Sequence, residues 1–528
     1  MRPLSACNAC RDRRKRCNRP RPGTSCTFCV RRGLVCSVEQ KPSRPPNVDY
    51  EPLARTPDDG APPISPAWLM PDKELCRELV DLYFRYIHIT FHNLFHRPSF
   101  EAAVEEGSIP KILLYGVFSL AARFSCHPSF DGVPPHERGR PYAKETERLL
   151  DLHNTCLTTV QACVLLGAIQ VVEMDAATES VFYTIACRLA LILGLPDMPG
   201  KTRLEQEVNL RVWWTVVATD TWSSTALGLP RALQPRYDIL LPMDERRFAR
   251  LGSQSPDPPV SGVAAYMESE AYVSETSESI LARMVMLNPI LYDVNTLNAR
   301  AISGALQDQD IQKSVADIAA ALEAWQRQLP PVLRSTPGNH AFWAAAGFGN
   351  IFAMLHINFN YMGQLLFYRY LHHSLSSDGC RPDASLASCY AYKCKEHAAR
   401  LCELIYQARK SPHADLRYPL VGHFLVIAST VHLYTLLFGS DEDEIAVAKS
   451  RLETNFQIIT ELQSYWPSLE ASFSRLATFH KACLENKDDP FRLDQWMLRF
   501  LVEFAQLVAE RDSQADDESH ELRSLVMS

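Results

Sequence analysis

Apolar residues recur at helical spacing along most of the chain from Asp72 onward. Leu75, Leu79, Leu82 and Tyr86 step by four, three and four residues, which places them on one face of a helix. Strand-like alternation of apolar and polar residues is scarce, so the pattern predicts an all-α body. Further helices are predicted at 110–124, 140–153, 157–173, 179–194, 204–227, 279–298, 308–329, 341–372, 390–410, 417–439, 443–465, 468–485 and 491–511. A loop is predicted at about 250–278.

One apolar segment, residues 420–439, is uncharged and as long as a membrane span. It contains two histidines, and it lies between other helical patterns. A buried core helix is therefore the favoured interpretation, and no membrane partner is expected.

The N-terminal part of the chain has a different composition. Residues 1–36 contain six cysteines, and residues 37–71 contain nine prolines and almost no apolar periodicity. These shifts predict a small cysteine-rich head at 1–36 and a Pro-rich linker at 37–71. A large all-α body at 72–511 and an acidic, disordered tail at 512–528 are predicted to follow.

Charge is distributed as unevenly as cysteine. The net charge of the whole chain is -7, yet residues 1–46 carry 12 Lys and Arg against 2 Asp and Glu. The remainder carries 42 against 59. A basic head on an acidic body predicts a polyanionic partner for the head alone.

The head repeats one cysteine spacing, C-x2-C-x6-C, twice. No apolar signal segment precedes the cysteines, which disfavours disulfides and favours metal binding. Two separate tetrahedral zinc sites would need eight ligands, and the first histidine is His88. Six thiolates suffice if two of them bridge both metals. The alternatives are one zinc ion with two spare thiols, which leaves the doubled spacing unexplained, or an iron–sulfur centre, which leaves the basic residues unexplained.

The full spacing, together with "CRDRRKRC" in its first half, resembles the fungal zinc-cluster (Zn2Cys6 binuclear) transcription factors. This resemblance implies two Zn2+ ions, with Cys7 and Cys26 as the ligands that bridge both. Cys10 and Cys17 would complete one site. The full implied ligand set is Cys7, Cys10, Cys17, Cys26, Cys29 and Cys36.

The same resemblance implies that Arg13 and Arg14 read the guanines of a CGG triplet in double-stranded DNA. Arginine suits this role because its guanidinium grips O6 and N7 of guanine together. The family commonly has lysine at this second position, so Arg14 is a mild departure from the family pattern. The other basic residues are expected to contact phosphate or to balance thiolate charge: Arg11, Lys15, Arg16, Arg31 and Arg32.

The body resembles the all-helical regulatory (middle homology) domain of the same family. The resembling segments include "LVDLYFRYIHITFHNLFHRPSF" at 79–100 and "RVWWTVVATDTWSSTALGLPRAL" at 211–233. Trp213 and Trp214 are expected in the core, and Arg211 and Asp220 are expected to act as ion-pair or capping partners.

Two motifs in the body resemble functional sites, a metal site and a phosphate-binding loop, but the surrounding residues do not support either function. His88, His92 and His96 are four residues apart, a metal-ligand spacing on a helix, but Pro98 is expected to end that helix. Local packing is the favoured interpretation of these histidines. "GLPDMPGKT" at 194–202 lacks the glycine spacing of a phosphate-binding loop. No catalytic motif emerges elsewhere, so an enzyme is not expected.

The expected function is that of a nuclear, sequence-specific regulator of RNA polymerase II transcription. By family habit it would activate a dedicated pathway, such as a secondary-metabolite gene cluster. The alternatives are a regulator of carbon or nitrogen use or of drug response, a repressor, or a zinc-stabilised protein-interaction scaffold. Co-regulators or the transcription machinery are expected partners, and a small-molecule effector could bind among the helices. Residues 37–71 lack heptads, which favours a monomer or a weak homodimer.

Overall fold

The computed structural model divides the chain into two compact units, of which the first ends at Pro66 and the second begins at Ala67. Both units are helical, and the described residues contain no β-strand. The residues described are 7, 10, 13–14, 16–18, 25–32, 36, 71–88, 90, 92–197, 200–234, 236, 238–252, 259–260, 262–375, 382–411 and 414–485.

In the first unit, Thr27–Arg31 forms a short helix, α1. The second unit is built of longer helices joined by short 3-10 turns and loops. Its helices are α2 Lys73–Tyr86, α3 Arg97–Glu106, α4 Lys111–Ala121, α5 Arg140–Leu149, α6 Leu157–Glu173, α7 Ala176–Ile192, α8 Arg203–Leu227, α9 Glu245–Phe248, α10 Val263–Met267, α11 Glu270–Thr276, α12 Ile280–Ile302, α13 Asp308–Arg327, α14 Pro337–Ala345, α15 Gly349–Phe367, α16 Pro382–Lys410, α17 Leu420–Phe438, α18 Glu442–Gln463 and α19 Glu470–Glu485.

The helix ends follow local chemistry that the sequence carries. Asp72 caps α2 by accepting a hydrogen bond from the backbone N–H of Leu75 at 2.9 Å. Thr202 caps α8 in the same way through the N–H of Glu205. Gly228 ends α8 in a left-handed conformation, with φ of 65°, that few other residues adopt without cost. These caps confirm the predicted start of the body helices near 72 and the end of α8 near 227.

The core of the second unit is organised around α15. Every residue of α15 except Asn350 is buried, because α12, α13, α14 and α16 all pack against it. A helix that is apolar all round requires neighbours on every side. This arrangement places α15 at the centre of the all-α body that the sequence predicts.

Helix α17 is also central. It is long and apolar enough to cross a membrane, yet 83% of its most apolar window is buried inside the protein. Gly422 allows a close approach to the segment before α19, since a Cβ atom there would collide with the side chain of Leu469. The interpretation of 420–439 as a core helix is therefore confirmed by its packing.

Two predicted boundaries were wrong. The single helix predicted at 341–372 is divided into α14 and α15 at Gly347, whose φ of 83° is left-handed and ends a helix. The loop predicted at 250–278 contains α10 and α11, which are too short to show helical periodicity.

Three further predictions lie outside the described residues. They are the Pro-rich linker at 37–71 except Pro71, the helix at 491–511, and the acidic tail at 512–528. Their boundaries stay predictions.

A buried ion pair ties α8 to the segment before α9. The guanidinium of Arg211 donates to Glu207 at 2.9 Å and to the backbone carbonyl of Met243 at 2.7 Å. Glu207 also accepts from the N–H of Met243 at 2.9 Å, and both charged side chains are almost fully buried. Burial raises the pKa of Glu207, and Arg211 opposes that shift. Without Arg211 the carboxylate would lie buried and unpaired.

Asp220 performs the capping role predicted for it, further along α8. Its carboxylate accepts from the backbone N–H groups of Ala232 and Leu233 at 2.9 and 3.0 Å. Trp213 is buried in the core, and Trp214 is half-buried and donates its indole N–H to the carbonyl of Leu240. The predictions for Arg211, Trp213 and Asp220 are thus confirmed, whereas Trp214 packs at the edge of the core.

We expect Arg211→Met to lower the free energy of unfolding by about 3–5 kcal/mol, because removal of one partner leaves the other charge buried without compensation. Arg148→Met is the matched control, since Arg148 is exposed and pairs with the half-buried Glu145. It should change the free energy of unfolding much less, because water screens the charge of an exposed arginine. Chemical denaturation of both variants measures the difference, and equal losses would show that the buried pair has no special structural role.

Candidate metal centre

The six cysteines of the head lie within a single cluster. Five of them are buried, and Cys17 is half-exposed. Cys26 is the N-cap of α1, and Cys29 lies within that helix. The cluster forms because both repeats fold back on a common centre, which brings thiols up to 29 residues apart in sequence into contact.

The sulfur atoms form two overlapping groups of four. In each group all Sγ atoms lie within 4.8 Å of one another. One group adds Cys10 and Cys17 to Cys7 and Cys26, and the other adds Cys29 and Cys36 to the same two residues. The two cysteines shared by the groups are the first and the fourth of the chain, which are the ones that the family resemblance implies as bridging ligands.

The distances between sulfurs fit tetrahedral zinc. A Zn–S bond of about 2.3 Å makes the edge of a regular tetrahedron about 3.8 Å long. The Sγ atoms of Cys7 and Cys26 are 3.8 Å apart, those of Cys7 and Cys29 3.7 Å, and those of Cys10 and Cys26 3.5 Å. A donor set made entirely of thiols suits zinc better than magnesium or calcium.

The two repeats have matching backbone geometry. The N–H of Cys7 donates to the Sγ of Cys17, and the N–H of Cys26 donates to the Sγ of Cys36, each over 3.5 Å. Both bonds join residues ten apart. This correspondence shows that the doubled spacing produces a doubled local fold, with one shared cysteine at the start of each half.

The electrostatics of this cluster favours a bound cation. Burial, followed by contact with other thiols, raises the pKa of Cys29 to about 12 and also raises the pKa of Cys10. Thiols in such surroundings stay protonated unless a positive charge compensates the thiolate. Binding of a metal ion that replaces those protons would therefore also supply folding free energy to the head.

The predicted base-reading residues lie on the exposed surface of the first repeat. Arg13, Arg14 and Arg16 are all exposed. Arg14 has a φ of 49°, in the left-handed region that residues with a side chain rarely occupy. Arg11 and Lys15 lie outside the described residues.

A contact that sequence reasoning missed joins the two repeats. The backbone N–H of Thr27 donates to the carbonyl of Asn18 at 2.9 Å, and the Thr27 hydroxyl donates to the same oxygen at 3.2 Å. These two hydrogen bonds hold Asn18, the residue after Cys17, against the start of α1. No motif signals this contact, because it depends on how the halves meet.

The three histidines near the start of the body do not form a second metal site. Helix α2 ends at Tyr86, so His88 and His92 lie beyond it, and His96 precedes α3. The expectation that Pro98 ends a helix was wrong, because Pro98 lies in the first turn of α3. Each histidine has a local role, such as the 2.6 Å hydrogen bond between His92 and the hydroxyl of Tyr83, which confirms packing as their purpose.

Comparison with known proteins gives matches to transcriptional regulators. Residues 80–327 match the family model of the fungal specific transcription factor domain. An uncharacterized transcriptional regulatory protein of Schizosaccharomyces pombe is 26% identical over 202 residues, which cover 35% of this chain and 21% of the relative. A Zn(2)-C6 fungal-type transcription factor, FTF1c of Fusarium oxysporum f. sp. lycopersici, is 22% identical over 445 residues, or 79% of this chain and 46% of the relative.

Another uncharacterized transcriptional regulatory protein of Schizosaccharomyces pombe is 22% identical over 472 residues, covering 81% of this chain and 56% of the relative. The chain thus spans between about a fifth and just over half of the length of these three curated relatives. These relatives are named as transcriptional regulatory proteins or transcription factors.

We expect the shared cysteines to matter more for metal content than the unshared ones. Cys26→Ser removes a ligand from both groups of four, whereas Cys36→Ser removes a ligand from one. Zinc per chain, measured by atomic emission on the full-length protein, should fall further in Cys26→Ser. Cys126→Ser is the control, since this exposed thiol lies outside the cluster and its loss should leave the metal content unchanged. Equal metal loss in the Cys26 and Cys36 variants would contradict the sharing.

Proposed function

We propose that this chain is a fungal-type zinc-cluster transcriptional regulator and that its head binds double-stranded DNA. The observation that carries the proposal is the pair of four-thiol groups that share Cys7 and Cys26, with exposed arginines on the adjoining segment. In this proposal two Zn2+ ions occupy the groups, and the six cysteines are their ligands.

The first repeat is the half suited to reading bases. Five of the six residues between Cys10 and Cys17 are basic, whereas two of the six between Cys29 and Cys36 are. By position in the repeat, Arg32 corresponds to Arg13, and Gly33 corresponds to Arg14. The two halves therefore share a metal-binding framework and differ in the side chains that they present.

Arg13 and Arg14 are proposed to contact the guanines of a CGG triplet in the major groove. Their exposure supports this role, because a guanidinium must be free of intramolecular packing to reach a base edge. The left-handed backbone at Arg14 turns the chain directly after Arg13, and unusual backbone geometry of this kind is often found at binding sites. Arg11, Lys15 and Arg16 are proposed to contact phosphate or to balance the thiolate charge.

We expect Arg14→Ala to reduce discrimination between a CGG duplex and a scrambled duplex by about 1–3 kcal/mol, the value of one bidentate base contact. Arg32→Ala, in the second repeat, is the matched control. It should weaken binding to both duplexes equally and reduce the dependence of log affinity on log salt by about one unit. Fluorescence anisotropy at several salt concentrations measures both effects. Unchanged specificity in Arg14→Ala would remove this residue from the reading set.

Binding to the same duplexes also shows how many protein chains occupy one DNA molecule. We propose binding as a monomer or weak homodimer, because residues 37–71 contain nine prolines and no heptad pattern. One chain on a single triplet, counted by the mass of the complex, is the result consistent with a monomer. Obligatory binding of two chains would overturn the monomer and require a dimer contact elsewhere.

At the level of the cell, we propose a nuclear activator of a dedicated pathway, such as a secondary-metabolite gene cluster, that recruits co-regulators or the transcription machinery. The relatives named as transcription factors support a nuclear site of action. A chain of 528 residues is modest in length, which favours a pathway regulator over a global one. We expect genome-wide mapping to place its bound sites within one gene cluster whose transcripts fall when the gene is deleted. Sites spread over unrelated genes, or transcripts that rise, would contradict this assignment.

A further inference from the structure

A half-open cavity of about 150 Å³ lies inside the body, among helices that are far apart in sequence. Helices α7, α8, α12 and α15 contribute to its walls, together with the segment that precedes α3. A void of this volume accommodates a molecule of about one aromatic ring. All of its lining residues belong to the second unit.

Most of the wall is apolar and adaptable. Two indoles, Trp214 and Trp222, line the cavity, and three methionines, Met284, Met354 and Met362, complete much of its surface. Aromatic faces and thioether groups make good contacts with flat apolar molecules. The wall therefore favours a ligand that is apolar over most of its surface.

The polar part of the wall has a fixed backbone, but its side chains lack hydrogen-bond partners. The backbone of Asn93 is fixed to the Thr215 side chain, which accepts from its N–H at 3.0 Å and donates to its carbonyl at 3.2 Å. The side chain of Asn93 is buried, yet neither its Nδ2 nor its Oδ1 has a hydrogen-bond partner. Two more buried atoms on the same wall, the hydroxyl of Tyr183 and Oδ1 of Asn358, also lack partners.

Such unpartnered atoms are rare in proteins, because a buried polar group that loses water must regain a hydrogen bond elsewhere. Water alone would supply those bonds, but it would leave the indole and methionine surfaces without close contacts. A molecule with an apolar body and one polar group satisfies both parts of the wall. The Asn93 amide can both donate to and accept from that group.

The charges around the cavity disfavour an anion as the ligand. Among the residues that the structure describes, no lysine or arginine lines it, so an anion would lack a partner. Burial lowers the pKa of His92 to about 3, which keeps this imidazole neutral. Burial also raises the pKa of Glu179 to about 7, against the opposing effect of Ser223, so this carboxyl is partly protonated near neutrality.

A neighbouring cavity of about 290 Å³ is larger, but among the described residues that line it the buried side-chain atom without a partner is the indole N–H of Trp213, which can only donate. Asp220 accepts from the backbone of Ala232 and Leu233, and Arg236 pairs with Asp197 and Asp238. The unsatisfied polar side chain of Asn93 distinguishes the smaller cavity as the ligand site.

We propose that this cavity binds a small uncharged molecule, about one ring in size and largely apolar, whose single hydroxyl or carbonyl group hydrogen-bonds the Asn93 amide. The site goes beyond the proposed DNA binding. A ligand here would contact α7, α8, α12 and α15 at once and would stabilise their packing in the body.

The test uses the full-length zinc-loaded protein and three probes of one ring: benzyl alcohol, toluene and benzoate. Quenching of tryptophan fluorescence reports binding, since two indoles line the site, and calorimetry confirms the stoichiometry. We expect benzyl alcohol to bind one per chain and more tightly than toluene, which lacks the hydroxyl, and we expect no binding of benzoate, which is an anion. Benzoate binding as tight as benzyl alcohol, or no binding of benzyl alcohol at all, would overturn the proposal.

Two variants locate the site. Asn93→Leu should weaken benzyl alcohol about tenfold and leave toluene unchanged, because it removes only the hydrogen-bonding partner. Ala218→Phe should abolish binding of both neutral probes by filling the space, with an unchanged helical circular dichroism spectrum. If Asn93→Leu fails to fold, Ala218→Phe and the order of the three probes still decide the outcome. The head variant Arg14→Ala is the control and should bind benzyl alcohol as the parent chain does. An unaltered response in Ala218→Phe would place the probe elsewhere and refute the site.

Discussion

A buried polar or charged group needs a hydrogen-bonding or oppositely charged partner. The head, the body and the cavity of this chain differ in what supplies that partner. In the head, six thiols face one another, and the proposed metal ions would supply the charge that compensates their thiolates. In the body, the chain supplies its own partner, as Arg211 does for Glu207. At Asn93 neither solution is present, and this contrast identifies the cavity as a place for a ligand.

The two parts of the chain differ in how much of them the sequence predicts. The doubled cysteine spacing predicted a metal cluster in the head, and the family resemblance, not the spacing, implied which two thiols are shared. The long body helices were predictable because their apolar faces recur at helical period over 15 or more residues. Short helices such as α10 were not predictable, because one turn is too short to show a helical period. The break at Gly347 was not predictable either, because it depends on the conformation of one residue.

The candidate ligand site lay beyond sequence reasoning for a different physical reason. Asn93 is unremarkable in the sequence, and its position depends on Thr215, which is 122 residues away. The segment around it was predicted to be helical, whereas the chain leaves helix α2 at Tyr86 and runs through buried histidines to α3. Only the packing of several helices reveals that the Asn93 amide has no partner. Sites made of repeated local spacing are therefore visible in a sequence, and sites made of distant neighbours are not.

The matching hydrogen bonds of the two repeats also bear on how such a head can be transferred between proteins. Each C-x2-C-x6-C repeat contributes three thiols, one fewer than a tetrahedral shell requires, so in the proposed two-zinc arrangement each repeat completes its shell with one sulfur of the other. In that arrangement the repeats are two halves of one module and not two modules in series. Recombination or engineering that cuts between Cys17 and Cys26 would leave two incomplete fragments, and the smallest transferable piece is the span from Cys7 to Cys36.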